Sequence, residues 1–120
     1  MHIDERHQGD VLVLDLHGKL TAGDGDGLIT DTLRRLATQR GQKVILNFAD
    51  VPYMDSVGVS TIVRSHLALR QTDGQLKLLR VPRRIADLFA VTGLTAVFEM
   101  FELESDAIAS FDRSPSVDQG

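Results

Sequence analysis

At 120 residues the chain fits one domain, long enough to bury a core without disulfides or metal, and its 42% hydrophobic and 25% charged residues exclude a disordered or fibrous protein. With no Cys, a disulfide framework, thiol chemistry and a Cys-based metal site are excluded, as fits a reducing cytosol. A net charge of -4 with no Trp, one Tyr and five Phe supplies neither the positive field nor the stacking platforms that direct nucleic-acid binding needs.

The first residues, Met1 to Arg6, lack the apolar core of a signal peptide, and no stretch of ~18 apolar residues follows. Neither export nor membrane insertion is expected, and the placement implied is cytoplasmic. Ile3 to His7 suits a short edge strand that turns at Gly9-Asp10 into Val11-Leu12-Val13-Leu14-Asp15-Leu16, an apolar run of the kind a buried strand shows. After the turn-rich Gly23-Asp24-Gly25-Asp26-Gly27, the spacing of Ile29, Leu33, Leu36 and Ala37 predicts a first helix, closed by Gly41. Val44 to Phe48 is again strand-like, and a loop containing Pro52 follows.

A second helix is expected from about Ser56, with Val59, Ile62, Val63, His66 and Leu67 on one apolar face and Gly74 at its exit. Leu76 to Leu79 makes the next strand. Pro82 suits the first turn of a third helix carrying Ile85, Leu88 and Phe89 and ended by Gly93. Val97 to Phe101 reads as the last strand, and Ser105 as the cap of a short helix running to Phe111. Alternating strands and helices imply an α/β domain over residues 1–112, with about five strands in a mixed, mostly parallel sheet and about four helices. Residues 113–120 are expected to form a flexible tail.

Several chemistries fail on spacing. From Gly23 and Gly25, the third glycine of a dinucleotide fingerprint would be Leu28, and no phosphate loop is present. A calcium loop begun at Asp24 would need its glycine at Ile29 and its last acidic ligand at Arg35. The acidic turn is therefore read as a cap for the first helix. His2, His7, His17 and His66 show no ligand spacing, so no metal is expected. Ser56 and His66, ten residues apart on one helix, lie ~15 Å apart in rise and cannot act as nucleophile and base. His66 is expected to be a hydrogen-bonded core histidine. Arg80, Arg83 and Arg84 surround Pro82 where the helix macrodipole disfavours cations; a solvated face is the simpler reading, docking of an acidic partner the other.

The segment Tyr53-Met54-Asp55-Ser56-Val57-Gly58-Val59 joins a strand to the second helix. It resembles the signature of the STAS family, in which a strand leads into an aromatic or Met residue and then Asp-Ser-Ser/Thr-Gly-Leu. Asp55, Ser56 and Gly58 match position by position; Val57 stands in place of the second hydroxyl residue and Val59 in place of the usual Leu. Val11 to Gly18 is similar to the family's apolar strand ending in Gly, and Thr92-Gly93-Leu94 before Phe98 to its Ser/Thr-Gly-Leu turn, so the resemblance runs from about Val11 to Phe111. It implies an anti-sigma factor antagonist, a binding switch and not an enzyme, with no cofactor. Its implied partners are an anti-sigma factor serine kinase, which phosphorylates Ser56, and a PP2C-type phosphatase, which restores it. A STAS adaptor subunit of a lipid transporter or stress-signalling complex, with Ser56 a structural cap, is the alternative; an enzyme or nucleotide binder using Asp24 and Asp26 is another.

Physical reasoning on Ser56 fits a switch. As an expected N-cap it lies at the surface, and phosphorylation adds roughly -1.5 to -2 charges at a helix end that tolerates anions. A partner packed there would have to desolvate the phosphate beside Asp55. Gly58, Thr61, Ser65 and Ala68 follow helical spacing away from the apolar stripe, which predicts a smooth docking face or simply small exposed residues. Thr21 stands where many members have Asp in the loop after the second strand. The expected partner-binding set is thus Thr21, Asp24, Asp55, Ser56, Gly58, Thr61 and Ser65.

Overall fold

The computed structural model describes residues 1–113, and the end of the expected 113–120 tail, from Ser114 on, lies outside them. The first strand, β1 (His2–Gln8), turns through Gly9 at φ 65 into β2 (Val11–His17). Then come α1 (Asp26–Leu36), β3 (Lys43–Asp50), α2 (Ser56–Arg70), β4 (Gln75–Leu79), α3 (Arg83–Val91), β5 (Met100–Phe101), α4 (Glu104–Ser110) and a 3-10 turn at Phe111–Arg113. The sheet order is β1-β2-β3-β4-β5; β1 runs antiparallel to β2 and the other pairs are parallel. This is the mixed five-stranded α/β sheet that the alternating pattern predicts.

Alternation along the central strands builds two cores, because successive side chains point to opposite faces. Leu12, Leu14, Leu46, Phe48 and Leu78 face one side, where they pack with Ile29 and Leu33 of α1, Ile62 and Leu69 of α2, and Ile85 and Phe89 of α3. Val11, Val13, Ile45 and Leu79 face the other, closed by Ala107 of α4 and Phe111. The near-continuous apolar runs of β2 and β3 reflect this burial on both faces.

The second face is also held by polar contacts. Lys77 is buried, donates to Ser110 Oγ at 2.7 Å, pairs with Glu99 at 2.9 Å and lies 4.5 Å from the centre of the Phe111 ring. The Arg6 guanidinium grips Asp15 at 2.7 Å and Glu104 at 2.8 Å, tying β1 and β2 to α4. Arg6, and then the hydrogen bond from Asn47, hold the Asp15 carboxyl below the usual carboxylate range; Arg6 does the same for Glu104.

Four local expectations are corrected. The last strand is only Met100–Phe101: Phe98 turns into the core and meets Phe89 edge-on at 5.4 Å, leaving Val97 exposed. Leu103, not Ser105, occupies the cap position of α4 and offers no side-chain hydrogen bond. Leu67 lies off the buried stripe of α2, 53% exposed. His66 packs edge-on against Phe98 at 5.2 Å, yet its buried Nδ1 has no hydrogen-bond partner. Burial and the nearby Arg70 push its pKa down.

Candidate functional site

The two loops that follow β2 and β3 leave the sheet at one edge and are stitched together. Leu20 N–H donates to Tyr53 O at 3.0 Å and Asp55 N–H to Leu20 O at 3.3 Å, an isolated parallel bridge between Leu20 and Met54. Leu20, Val51 and Met54 are buried beneath the crossing. The backbone that carries Asp55 and Ser56 is therefore anchored on the core while its side chains stay outside.

Asp55 is the N-cap of α2. Its backbone is extended, at φ -110 and ψ -173, and one carboxylate oxygen accepts from Gly58 N–H at 3.0 Å. The other accepts from Ala22 N–H at 3.3 Å, so one side chain closes the helix and fastens the preceding loop. The Gly58 N–H foremost, with those of Ala22 and Val57, holds the Asp55 carboxyl below its ordinary range. The expectation that Ser56 is the cap is thereby corrected. Ser56 is the first helical residue, exposed, with its hydroxyl not used to close the helix. Both residues are good caps by type, but only the carboxylate at position 55 sits three residues before the free Gly58 N–H.

Gly58 is required by close approach. A Cβ there would lie 2.4 Å from both Leu20 O and Met54 Cγ. The first turn of α2 thus rests directly on the neighbouring loop.

The expected docking face along α2 is also corrected. Gly58, Thr61 and Ser65 are buried, and Ala68 is half-buried. The Thr61 hydroxyl donates to Val57 O and that of Ser65 to Thr61 O, each at 2.9 Å, as small hydroxyl residues do when a helix denies them water. Ser65 and Ala68 meet Thr30, Leu33 and Arg34 of α1 across a cleft of about 100 Å³. Small size here serves helix packing.

Thr21 and Asp24 close a tight turn through Thr21 N–H to Asp24 O at 2.9 Å and Asp24 N–H to Thr21 O at 3.0 Å. Both are half-buried, and Asp24 lies 3.7 Å from the N-terminal ammonium and 3.9 Å from Lys19 Nζ. The acidic turn does not cap α1 by a side chain: Gly25, at φ 92, holds the cap position, and Asp26 accepts from Gly23 N–H instead. Thr21, Asp24, Asp55 and Ser56 thus gather at one edge, while Gly58, Thr61 and Ser65 lie below it.

Two exposed apolar side chains extend this edge, Tyr53 in the loop ahead of Asp55 and Leu28 in the first turn of α1. Tyr53 was within the signature segment, but its outward direction follows from the Leu20–Met54 bridge, which no local pattern encodes. Leu28 was legible, since it falls off the Ile29, Leu33 and Leu36 face. Ser56 opens α2 and His66 lies almost three turns further along it, and among the described residues no cluster of His, Asp and Glu is arranged to hold a metal ion. The chemistry available is that of a surface contact: a hydroxyl, a fixed carboxylate, small loop residues and two apolar flanks.

Comparison with known proteins points to one group. A family model described as the STAS domain matches residues 2–107. An anti-sigma-B factor antagonist from Staphylococcus epidermidis is 42% identical over 59 residues, covering 49% of this chain and 55% of that relative, so the match spans about half of each. The solved structure of the anti-sigma factor antagonist SpoIIAA in its unphosphorylated form is similar at TM-score 0.76 and 20% identity, over 94% of this chain and 98% of that one. The phosphorylated form of the Bacillus cell fate determinant SpoIIAA is similar at TM-score 0.69 and 21% identity, over 92% and 99%. At such identities these two structures establish the shared fold.

Proposed function

The chain belongs to the STAS domain family, and from that premise we propose that it is an anti-sigma factor antagonist switched by phosphorylation of Ser56. The observation that carries the reading is the exposed Ser56 at the first position of α2, directly after a carboxylate already spent on capping that helix. In the unmodified state the edge formed by Thr21, Asp24, Asp55 and Ser56, flanked by Tyr53 and Leu28, receives an anti-sigma factor serine kinase, which frees the sigma factor. The kinase transfers the γ-phosphoryl group of ATP to Ser56 Oγ, leaving ADP, and a PP2C-type phosphatase hydrolyses the ester. This chain supplies no catalytic group or cofactor in that scheme; it is a regulatory binding protein, and Ser56 is a substrate.

The electrostatics explain how the same modification spares the fold and breaks the contact. A phosphate at the start of α2 meets the positive end of the helix and remains in water, so the free protein tolerates it. A partner seated over that edge must strip water from the phosphate and from the ionised Asp55 beside it, two like charges side by side. Support from relatives is in kind: the matched Staphylococcus protein is named an anti-sigma-B factor antagonist, and SpoIIAA is known in unphosphorylated and phosphorylated forms.

The test is titration calorimetry against the cognate anti-sigma kinase. Ser56→Asp should fold normally and lose at least about tenfold in affinity, which needs only ~1.4 kcal/mol. Ser56→Ala should bind like wild type, resist inactivation by kinase and ATP, and keep its stability, because Asp55 and not Ser56 closes the helix. Equal affinity for wild type and Ser56→Asp would overturn the switch.

A further inference from the structure

The cluster of Arg80, Arg83 and Arg84 plays no part in the scheme above. The chain leaves β4 at Leu79 and bends through Arg80 at φ 53, in the left-handed region that a non-glycine residue enters only at a cost. Arg80 N–H donates to Phe101 O at 2.8 Å, which fixes the bend. Pro82 then opens α3 with no side-chain cap, and the first turn contains no acidic residue. Three exposed arginines flank the start of the helix, where the helix already contributes positive charge.

Compensation within the chain is slight. Arg83 approaches Asp87 only to 3.8 Å, with both side chains mostly in water. Neither Arg80 nor Arg84 joins an ion pair among the described residues. Glu104, which feels Arg80, is already gripped by Arg6.

These arginines border an open groove in two adjoining halves. One, of about 660 Å³, reaches Arg84 and Pro52; the other, of about 560 Å³, reaches Arg80; Ala49, Pro82 and Arg83 border both. Its walls are small and apolar between the cations. Each half also holds one carboxylate, Asp87 in the first and Glu102 in the second.

We infer that this groove docks an extended acidic segment of a partner protein, whose carboxylates meet Arg80, Arg83 and Arg84. The guanidinium groups are spread over both halves instead of converging on one point, which suits a row of carboxylates on an extended chain better than one compact anion. Arginine forks match carboxylates in bidentate geometry. Asp87 and Glu102 repel a dense polyphosphate, but they accommodate a peptide in which acidic residues alternate with small neutral ones. The inference does not depend on Ser56, whose modification leaves these arginines unchanged.

The probe is a fluorescein-labelled octapeptide of alternating glutamate and alanine, followed by anisotropy on titration with the full chain in about 50 mM salt, where screening is modest. Saturable binding is expected. The pair Arg83→Glu with Arg84→Glu should weaken it at least about tenfold, while the charge-matched pair Arg40→Glu with Arg70→Glu, outside the groove, should change it less than about threefold. Amide resonances of Ala49 and Ala86 should shift on peptide addition. If the reversed pair loses its far-UV circular dichroism, Arg83→Gln with Arg84→Gln serves in its place. Absence of saturable binding, equal weakening by both pairs, or displacement of the peptide by inorganic triphosphate at lower concentration than by unlabelled peptide would overturn the inference.

Discussion

Helices α2 and α3 start at the same edge of the sheet, each after a parallel strand, yet their first turns are built in opposite ways. In α2 the free N–H groups are answered from within: Asp55 takes the Gly58 N–H, and its second oxygen takes Ala22 N–H. In α3 no side chain caps the turn, no acid stands in it, and Arg83 and Arg84 add to the positive end. The same backbone dipole is thus neutralised in one place and reinforced in the other. An added anion has different consequences at each. Beside Asp55 it makes a second negative charge that a covering partner must desolvate; beside Pro82 it would be the first negative charge in the turn. Two helix starts along one sheet can therefore differ, one penalising a phosphate once a partner covers it and the other attracting a carboxylate.

The contrast can be broken most severely through Gly58, on which the anchored state of α2 depends. In Gly58→Ala the new Cβ meets a backbone oxygen and a buried side chain at 2.4 Å, so the loop or the helix must move. Even after the ~1 kcal/mol that alanine returns in helix propensity, a net loss of at least about 2 kcal/mol is expected. Thermal denaturation should show a midpoint lower by roughly 10 °C; an unchanged midpoint would mean that the turn is not seated on Leu20. A milder break is Asp55→Ala, which removes the cap and the tie to Ala22 together. It should lower the midpoint by a few degrees and speed hydrogen exchange at the Gly58 and Ala22 amides, whereas Asp55→Asn should recover most of the loss. The smallest effect has the opposite sign. Arg84→Glu places an acid in the first turn of α3 and should raise the midpoint by about one or two degrees while harming any acidic ligand. A lower midpoint would mean that the arginines contribute to the fold and not to recognition.

The same two turns show what could be read from residues alone. The strands β2, β3 and β4 were legible because burial on both faces leaves runs of Val, Leu and Ile that no surface segment tolerates. The strand-to-helix passage at Asp55 and Ser56 was legible from its signature, but not which residue caps, since Asp and Ser are near-equal caps by type and the choice depends on where the helix is entered. Gly58, Thr61 and Ser65 were misread as a surface because small and hydroxyl residues carry no apolar label. Their burial comes from α1 lying close against α2, a tertiary fact that helical period cannot supply. Val97 to Phe101 was misread for the reverse reason: apolar residues announced burial, but only Met100 and Phe101 pair with β4 while Phe98 packs as a loop residue. The arginine cluster was visible in sequence; its groove, bordered by Ala49 at the end of β3 and Pro52 in the loop after it, was not.

The grip of Arg6 on Glu104 joins residues 98 positions apart. During synthesis at about 5–20 residues per second, the guanidinium would wait on the order of five to twenty seconds for its acid to be made. For that interval the first hairpin has a cation without its full complement, and Val11, Val13 and Ile45 lack the Ala107 and Phe111 cover they have in the finished protein. The face closed by α4 is thus the last to become native, a late and separable step in the birth of the molecule. A chain that has emerged through Phe101 with α4 still inside the ribosome would present a nearly complete sheet with one side open to chaperones and to other chains.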